Sequence, residues 1–149
     1  MATTENLIAK INNGNNNAFH ELYGNDPAEL KRNADRYAGL LKQFNKEFGN
    51  KDVEFFSSPG RTEIGGNHTD HNLGRVLAGA VNLDNVSVAG KNNTNIIRIL
   101  SEGYPMFEVD LSSLNPDKSE MFSSAALVRG ICSRFKELGH QIGGFDACI

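Results

Sequence analysis

The feature that most constrains the fold is one long helical stripe with both ends marked. Asp26-Pro27-Ala28-Glu29 opens it. An aspartate accepts from the orphan N–H groups of a first turn, proline suits that turn because it has no N–H to lose, and Glu29 stands where a capping box reaches back. Leu30, Ala34, Tyr37, Leu41, Phe44 and Phe48 then recur at intervals of 4, 3, 4, 3 and 4, the spacing that stacks side chains on one helix face. Gly49 comes after the last apolar position, where a residue with positive φ ends a helix. An amphipathic helix this long must be covered by a sheet or by other helices.

Beyond Gly49 the chain is β-rich. Val53 to Phe56 reads as a strand running into a glycine-rich segment, and Arg75 to Val81 and Asn85 to Ala89 read as two more. Lys91-Asn-Asn-Thr-Asn95 is turn chemistry before the β-branched run Ile96 to Leu100, so the flanking strands are expected to pair as a hairpin. Phe107 to Val109 adds a short strand. Phe122 to Leu138 is a second helix, with Leu127, Ile131, Phe135 and Leu138 as its core stripe and Gly139 at its end. Ser123-Ser-Ala-Ala126 supplies its first turn, and Gly143-Gly144 leads to a last strand from Phe145. Upstream, Leu7, Ile8 and Ile11 mark a short amphipathic helix over residues 4–11. The polar run Asn12 to Asn17 breaks it, and Phe19, Leu22 and Tyr23 form another short turn of helix. The sum is an α+β domain, antiparallel strands with helices on one face, and residues 1–24 form an N-terminal helical extension. The chain stops inside a predicted strand, which points to a truncated domain.

Bulk properties narrow the partners. The 149 residues carry a net charge of −3 and no Lys/Arg-rich run, which argues against nucleic acid and against an anionic membrane surface. No apolar stretch is long enough to span a bilayer, and the first residues lack the pattern of a signal peptide. Two cysteines, Cys132 and Cys148, read as unpaired thiols in a reducing, cytoplasmic setting.

The chemistry concentrates in Ser58-Pro-Gly-Arg-Thr-Glu-Ile-Gly-Gly-Asn-His-Thr-Asp-His71. Glycines let a backbone approach a ligand closely. Arg61 offers a planar fork of donors suited to phosphate or clustered hydroxyls, with pairing to Glu63 as its structural alternative. Asp70 suits two vicinal hydroxyls, since a carboxylate accepts from both at once; its alternative is an Asx-type turn with Asn72 and Gly74. His68 shares the face of Asp70 if the segment is extended, and otherwise bonds a backbone carbonyl. His68-x-Asp70-His71 also holds metal-ligand types, but the H-x-H-x-D-H spacing of metal-dependent hydrolases would need a histidine where Gly66 stands.

The segment SPGRTEIGGNHTDHNLGRVLAGAV resembles the sugar-binding signature of galactokinases, members of the superfamily that includes homoserine and mevalonate kinases. Against the usual P-G-R-x-N-L-I-G-E-H-x-D-Y-x-x-G-x-V, the chain keeps Pro59, Gly60, Arg61, Gly66, His68, Asp70, Gly74 and Val76 and departs at Glu63, Gly65, Asn67 and His71. A weaker likeness runs on through SEGYPMFEVDLSSL and GHQIGGFDACI.

The resemblance implies a fold like the second domain of ribosomal protein S5, with residues 25–149 as an incomplete N-terminal sugar-binding domain. It implies phosphorylation of the C1 hydroxyl of galactose with ATP and Mg²⁺. Arg61 would be the catalytic residue beside the anomeric hydroxyl and the γ-phosphate, and Asn67, His68 and Asp70 would bind sugar. The family's glutamate at position 67 contacts the C6 hydroxyl. Asparagine removes its charge and would tolerate a C6 carboxylate, so galacturonate is an alternative substrate. Galacturonokinases share this departure and the histidine at position 71, where galactokinases have tyrosine.

The phosphate loop G-x-G-x-S-S-A has no counterpart, because no glycines precede Ser123-Ser-Ala-Ala126. The chain alone is therefore expected to lack kinase activity. A non-catalytic sugar-binding relative is a further alternative, and an apolar surface left by a missing domain would favour self-association.

Overall fold

The computed structural model describes residues 2–14, 17–66 and 69–149, with Asp70 described by its backbone. The described residues form one six-stranded sheet and four α-helices. The strands are β1 (Ala2–Thr3), β2 (Asp52–Gly65), β3 (Leu77–Lys91), β4 (Ile96–Leu100), β5 (Phe107–Asp110) and β6 (Phe145–Cys148). The helices are α1 (Thr4–Asn12), α2 (Asn17–Tyr23), α3 (Pro27–Phe48) and α4 (Ser124–Glu137). The sheet order is β1-β2-β3-β6-β4-β5.

Helix α3 forms as its pattern dictates. The Asp26 carboxylate accepts from the Ala28 N–H at 2.8 Å, and the Gly49 N–H donates to the Asn45 carbonyl at 2.9 Å. Glu29 does not complete a capping box; it accepts from Arg32 at 2.5 Å instead. Leu41 and Phe44 are wholly buried against Val53, Val88 and Cys148, with Leu7, Ile8 and Ile11 of α1 packed around them. Nearer its start, Tyr37 packs with Phe19 of α2 and Val86 of β3.

Several expectations need correction. The paired hairpin on either side of the Lys91–Asn95 turn does not form. β6 enters between the two strands, antiparallel to β3 and parallel to β4. The physical reason is the Asp146 carboxylate, which is wholly buried and gathers Lys51, Arg98 (2.7 Å) and the Asn92 amide (2.8 Å). The turn itself folds over the entry to β6, where the Gly144 N–H donates to the Thr94 carbonyl at 2.8 Å.

The helices do not share one face. Residues alternate across a pleated strand, so Val88, Cys148 and Leu100 face α3, whereas Ala147, Ile97 and Ile99 face the other way. Helix α4 covers that second face beside β5.

Lastly, α4 is rotated from its predicted orientation. Ala125, Val128 and Cys132 meet the core, while Leu127, Ile131, Phe135 and Leu138 are 67%, 49%, 50% and 56% exposed. Arg129 fixes this rotation. It forks onto Glu120 at 2.6 and 2.8 Å and reaches the carbonyls of Asp110 and Ser113 at 2.8 and 2.5 Å. Ser123 caps the helix by accepting from the Ala126 N–H, as its first-turn assignment anticipates.

The long strands also differ from expectation in extent. The stretches 75–81 and 85–89 are one strand, β3, and β2 runs nine residues beyond Phe56 to Gly65. Their mutual ladder carries both through.

Both thiols are free. Burial pushes the Cys148 thiol up to about 11, with the charges of Glu47 and Asp146 adding to it.

Two outcomes test this packing. Val128→Ala should cost on the order of 1 kcal/mol while Leu127→Ala stays within about 0.5 kcal/mol in denaturant unfolding, the reverse of the sequence-based stripe. Asp146→Ala, by stranding two cations, should cost about 3 kcal/mol. Burial alone would raise the Asp146 pKa, but donation from Arg98, Lys51 and Asn92 together holds it below its ordinary value. A depressed carboxylate contributes fully above its unfolded pKa and loses that contribution as pH falls through the folded one. The stability gap between the unmodified chain and Asp146→Asn should therefore be flat near neutral pH and narrow below about pH 4.

Candidate sugar-binding site

The glycine-rich segment is half strand and half loop. From Pro59 to Gly65 it continues β2 as a two-stranded ribbon with β3, pairing Arg61 with Ala80, Thr62 with Gly79 and Glu63 with Ala78. The register shifts between Pro59 and Arg61 and again between Glu63 and Gly65. Such shifts bend a strand and re-aim its side chains. Arg61 is exposed on this ribbon. Its pairing with Glu63 is not made, and among the described residues its guanidinium has no hydrogen-bond or ion-pair partner, so its fork of donors is open to a ligand.

The loop beyond Gly65 is closed by Thr69. Its hydroxyl donates to the Gly66 carbonyl at 2.8 Å and stands 3.3 Å from that of Arg75, joining the two ends of the loop. Its carbonyl accepts from the N–H groups of Asn72 (3.1 Å) and Gly74 (2.7 Å) around a single helical turn, Asp70–Asn72. Two glycines are dictated by this closure. Gly66 has φ 84°, and a Cβ there would run into the Arg75 carbonyl. A Cβ on Gly74 would collide with Thr69. Gly65, by contrast, faces open space.

Of the predicted site residues, Arg61 sits on β2 and Asp70 opens the helical turn. Asn67 and His68 lie outside the described residues. His71 is exposed in the same turn, its Nε2 3.3 Å from the Asn72 amide nitrogen. Among the described residues no three His, Cys, Asp or Glu gather as a metal site. Sequence reasoning missed Thr69; its signal was a threonine three residues after Gly66, the reach at which a hydroxyl bonds a preceding carbonyl.

The glycine-bounded, hydroxyl-closed loop thus stands at the end of a ribbon that leaves a mixed sheet with helices on both faces. The galactokinase galactose-binding signature matches residues 42–91, which take in the end of α3, all of β2, the loop and all of β3. The chain is 32% identical over 117 residues to the galactokinase of Lactococcus lactis subsp. cremoris, covering 75% of this chain and 29% of that protein. It is 36% identical over 106 residues to the galactokinase of Streptococcus suis, covering 69% and 27%. The crystal structure of Lactococcus lactis galactokinase complexed with galactose superposes with a TM-score of 0.63 at 29% identity, over 72% of this chain and 28% of that one. Over about three quarters of its length the chain is homologous to the galactokinase family. It spans under a third of the length of these relatives.

Gly66→Ala and Gly74→Ala should each strain the loop by about 1–3 kcal/mol. Amide exchange at Asn72 and Gly74 should accelerate in both, while Gly65→Ala leaves it unchanged.

Proposed function

We propose that this chain is the sugar-binding part of a cytoplasmic, ATP-dependent galactokinase that phosphorylates the C1 hydroxyl of galactose. In this reading residues 25–149 carry an incomplete N-terminal domain of ribosomal protein S5 domain 2-like fold, and residues 1–24 its helical extension. The observation that carries the reading is the coincidence of the galactose-binding signature with a Thr69-closed loop and an arginine that, among the described residues, is left unpaired beside it.

The residues divide the work by chemistry. Asp70 accepts from two vicinal sugar hydroxyls, and His68 bonds a further one. Asn67 meets the substituent at C6; as a neutral donor and acceptor it would take a carboxylate there as readily as a hydroxyl, which keeps galacturonate as the second substrate. Arg61 holds the C1 oxygen through its open fork of donors, as the residue beside which phosphoryl transfer would take place.

ATP with Mg²⁺ would supply the phosphoryl group, but the described residues do not fit that group. The serine-rich start of α4 is capped by its own Ser123, with Met121 and Phe122 before it where a phosphate cradle needs glycines.

Titration of the 149-residue chain with galactose should show saturable binding that Arg61→Ala weakens about tenfold or more, as loss of a charged hydrogen bond does. With ATP and Mg²⁺ added, no galactose 1-phosphate should form. Binding of glucose as tightly as galactose, or no sugar binding at all, overturns the reading.

A further inference from the structure

The ribbon that carries Arg61 leaves the body of the protein with little to hold it. Between Pro59 and Gly65 and between Leu77 and Leu83, most residues are exposed and none is fully buried. A two-stranded ribbon is at best marginally stable by its own pairing. Its direction must be set where it leaves the sheet.

That point is Asp84, which pairs across the ladder with Pro59. Proline has no N–H to give the ladder, and the register shifts immediately beyond it. Side chains take over there. The Asp84 carboxylate is 10% exposed and accepts from three elements at once. Tyr23 of α2 donates its hydroxyl to Oδ2 at 2.6 Å, Ser57 of β2 donates to the same oxygen at 2.6 Å, and Arg36 of α3 donates to Oδ1 at 2.5 Å. Arg36 also reaches the Asp84 carbonyl at 2.6 Å. With the single Tyr23 proton committed to Asp84, the Tyr37 hydroxyl, 2.9 Å away, donates to Tyr23. None of these residues belongs to the sugar loop.

We infer that Asp84 is a positioning residue for the sugar site: its clamp on Tyr23, Arg36 and Ser57 sets the direction of the ribbon that presents Arg61. The inference rests on the galactose-binding reading for its consequence, and on the clamp geometry for its mechanism. The clamp stays formed around neutral pH. Burial works against the ionised Asp84, but donation from Ser57, Tyr23 and Arg36 outweighs it and lowers its pKa; burial and the bond to Asp84 raise that of Tyr23.

The test compares Asp84→Ala, Asp84→Asn and Tyr23→Phe in the full chain by amide exchange and galactose titration. Asp84→Ala should speed exchange at Thr62 and Ala80 about tenfold or more, with core amides at Val88 and Ile99 changed far less. Its galactose dissociation constant should rise about tenfold. Asp84→Asn, which restores one acceptor oxygen, should recover part of both, and Tyr23→Phe, a milder change that keeps the fold, should shift both a few-fold.

If ribbon exchange is unchanged, or rises only in step with the core, the clamp is general stability and the inference falls. Loosened exchange with unchanged galactose affinity also overturns it. Absence of sugar binding by the unmodified chain overturns the galactose reading instead, and the exchange data still decide whether Asp84 orients the ribbon.

Discussion

One buried carboxylate decides the topology. Asp146 has no exposed surface, yet it is charged, and a charge in that position persists only with partners close by. Lys51 stands at the entrance to β2, Arg98 on β4, and Asn92 in the turn that links β3 to β4. Satisfying all three pulls β6 into the middle of the sheet. The cations are then sheathed by rings: Lys51 lies near Phe44 and Phe48, and Arg98 sits 5.1 Å from the centre of Phe48. Because Phe44 and Phe48 belong to α3, the same carboxylate also fixes where that helix lies across the sheet.

From this centre, burial decreases towards the far end of the β2–β3 ribbon. Near Asp146 helix α3 closes one face of the strands, and the other carries an apolar groove lined by Ala89, Ile99, Phe145 and Ala147. At Asp84 a side-chain clamp joins the helices to the ribbon, and beyond it the described strands pair with each other. Among the described residues Arg61 therefore stands on a projecting arm with no partner for its donors, while Thr69 joins the ends of the loop past it. Buried and exposed stretches are separated along one pair of strands.

The sequence announced α3 in detail because its signals are local: a cap, a six-member stripe and a terminal glycine. The turn that follows Arg61 was legible too, since its glycines lie within one short segment. What escaped was set by distant partners. Asp146 gave no sign that it would split a hairpin, because the three groups that hold it lie 48 to 95 residues away. The stripe of α4 was periodic enough, but Arg129 outweighed it by holding the adjacent face, with Ala125, Val128 and Cys132, inward. Thr69 and Asp84 looked like ordinary polar residues until the fold brought carbonyls or donors around them.

The two cysteines lie on opposite sides of the sheet. Cys148 sits under α3, and Cys132 on the inner face of α4, where burial outweighs the nearby Arg129 and raises its pKa. Each thiol is thus a built-in clock for a different layer: alkylation of Cys132 times the lifting of α4, and alkylation of Cys148 times the opening of the sheet beneath α3. Their relative rates would reveal which layer of the protein comes apart first, with no label added to the chain.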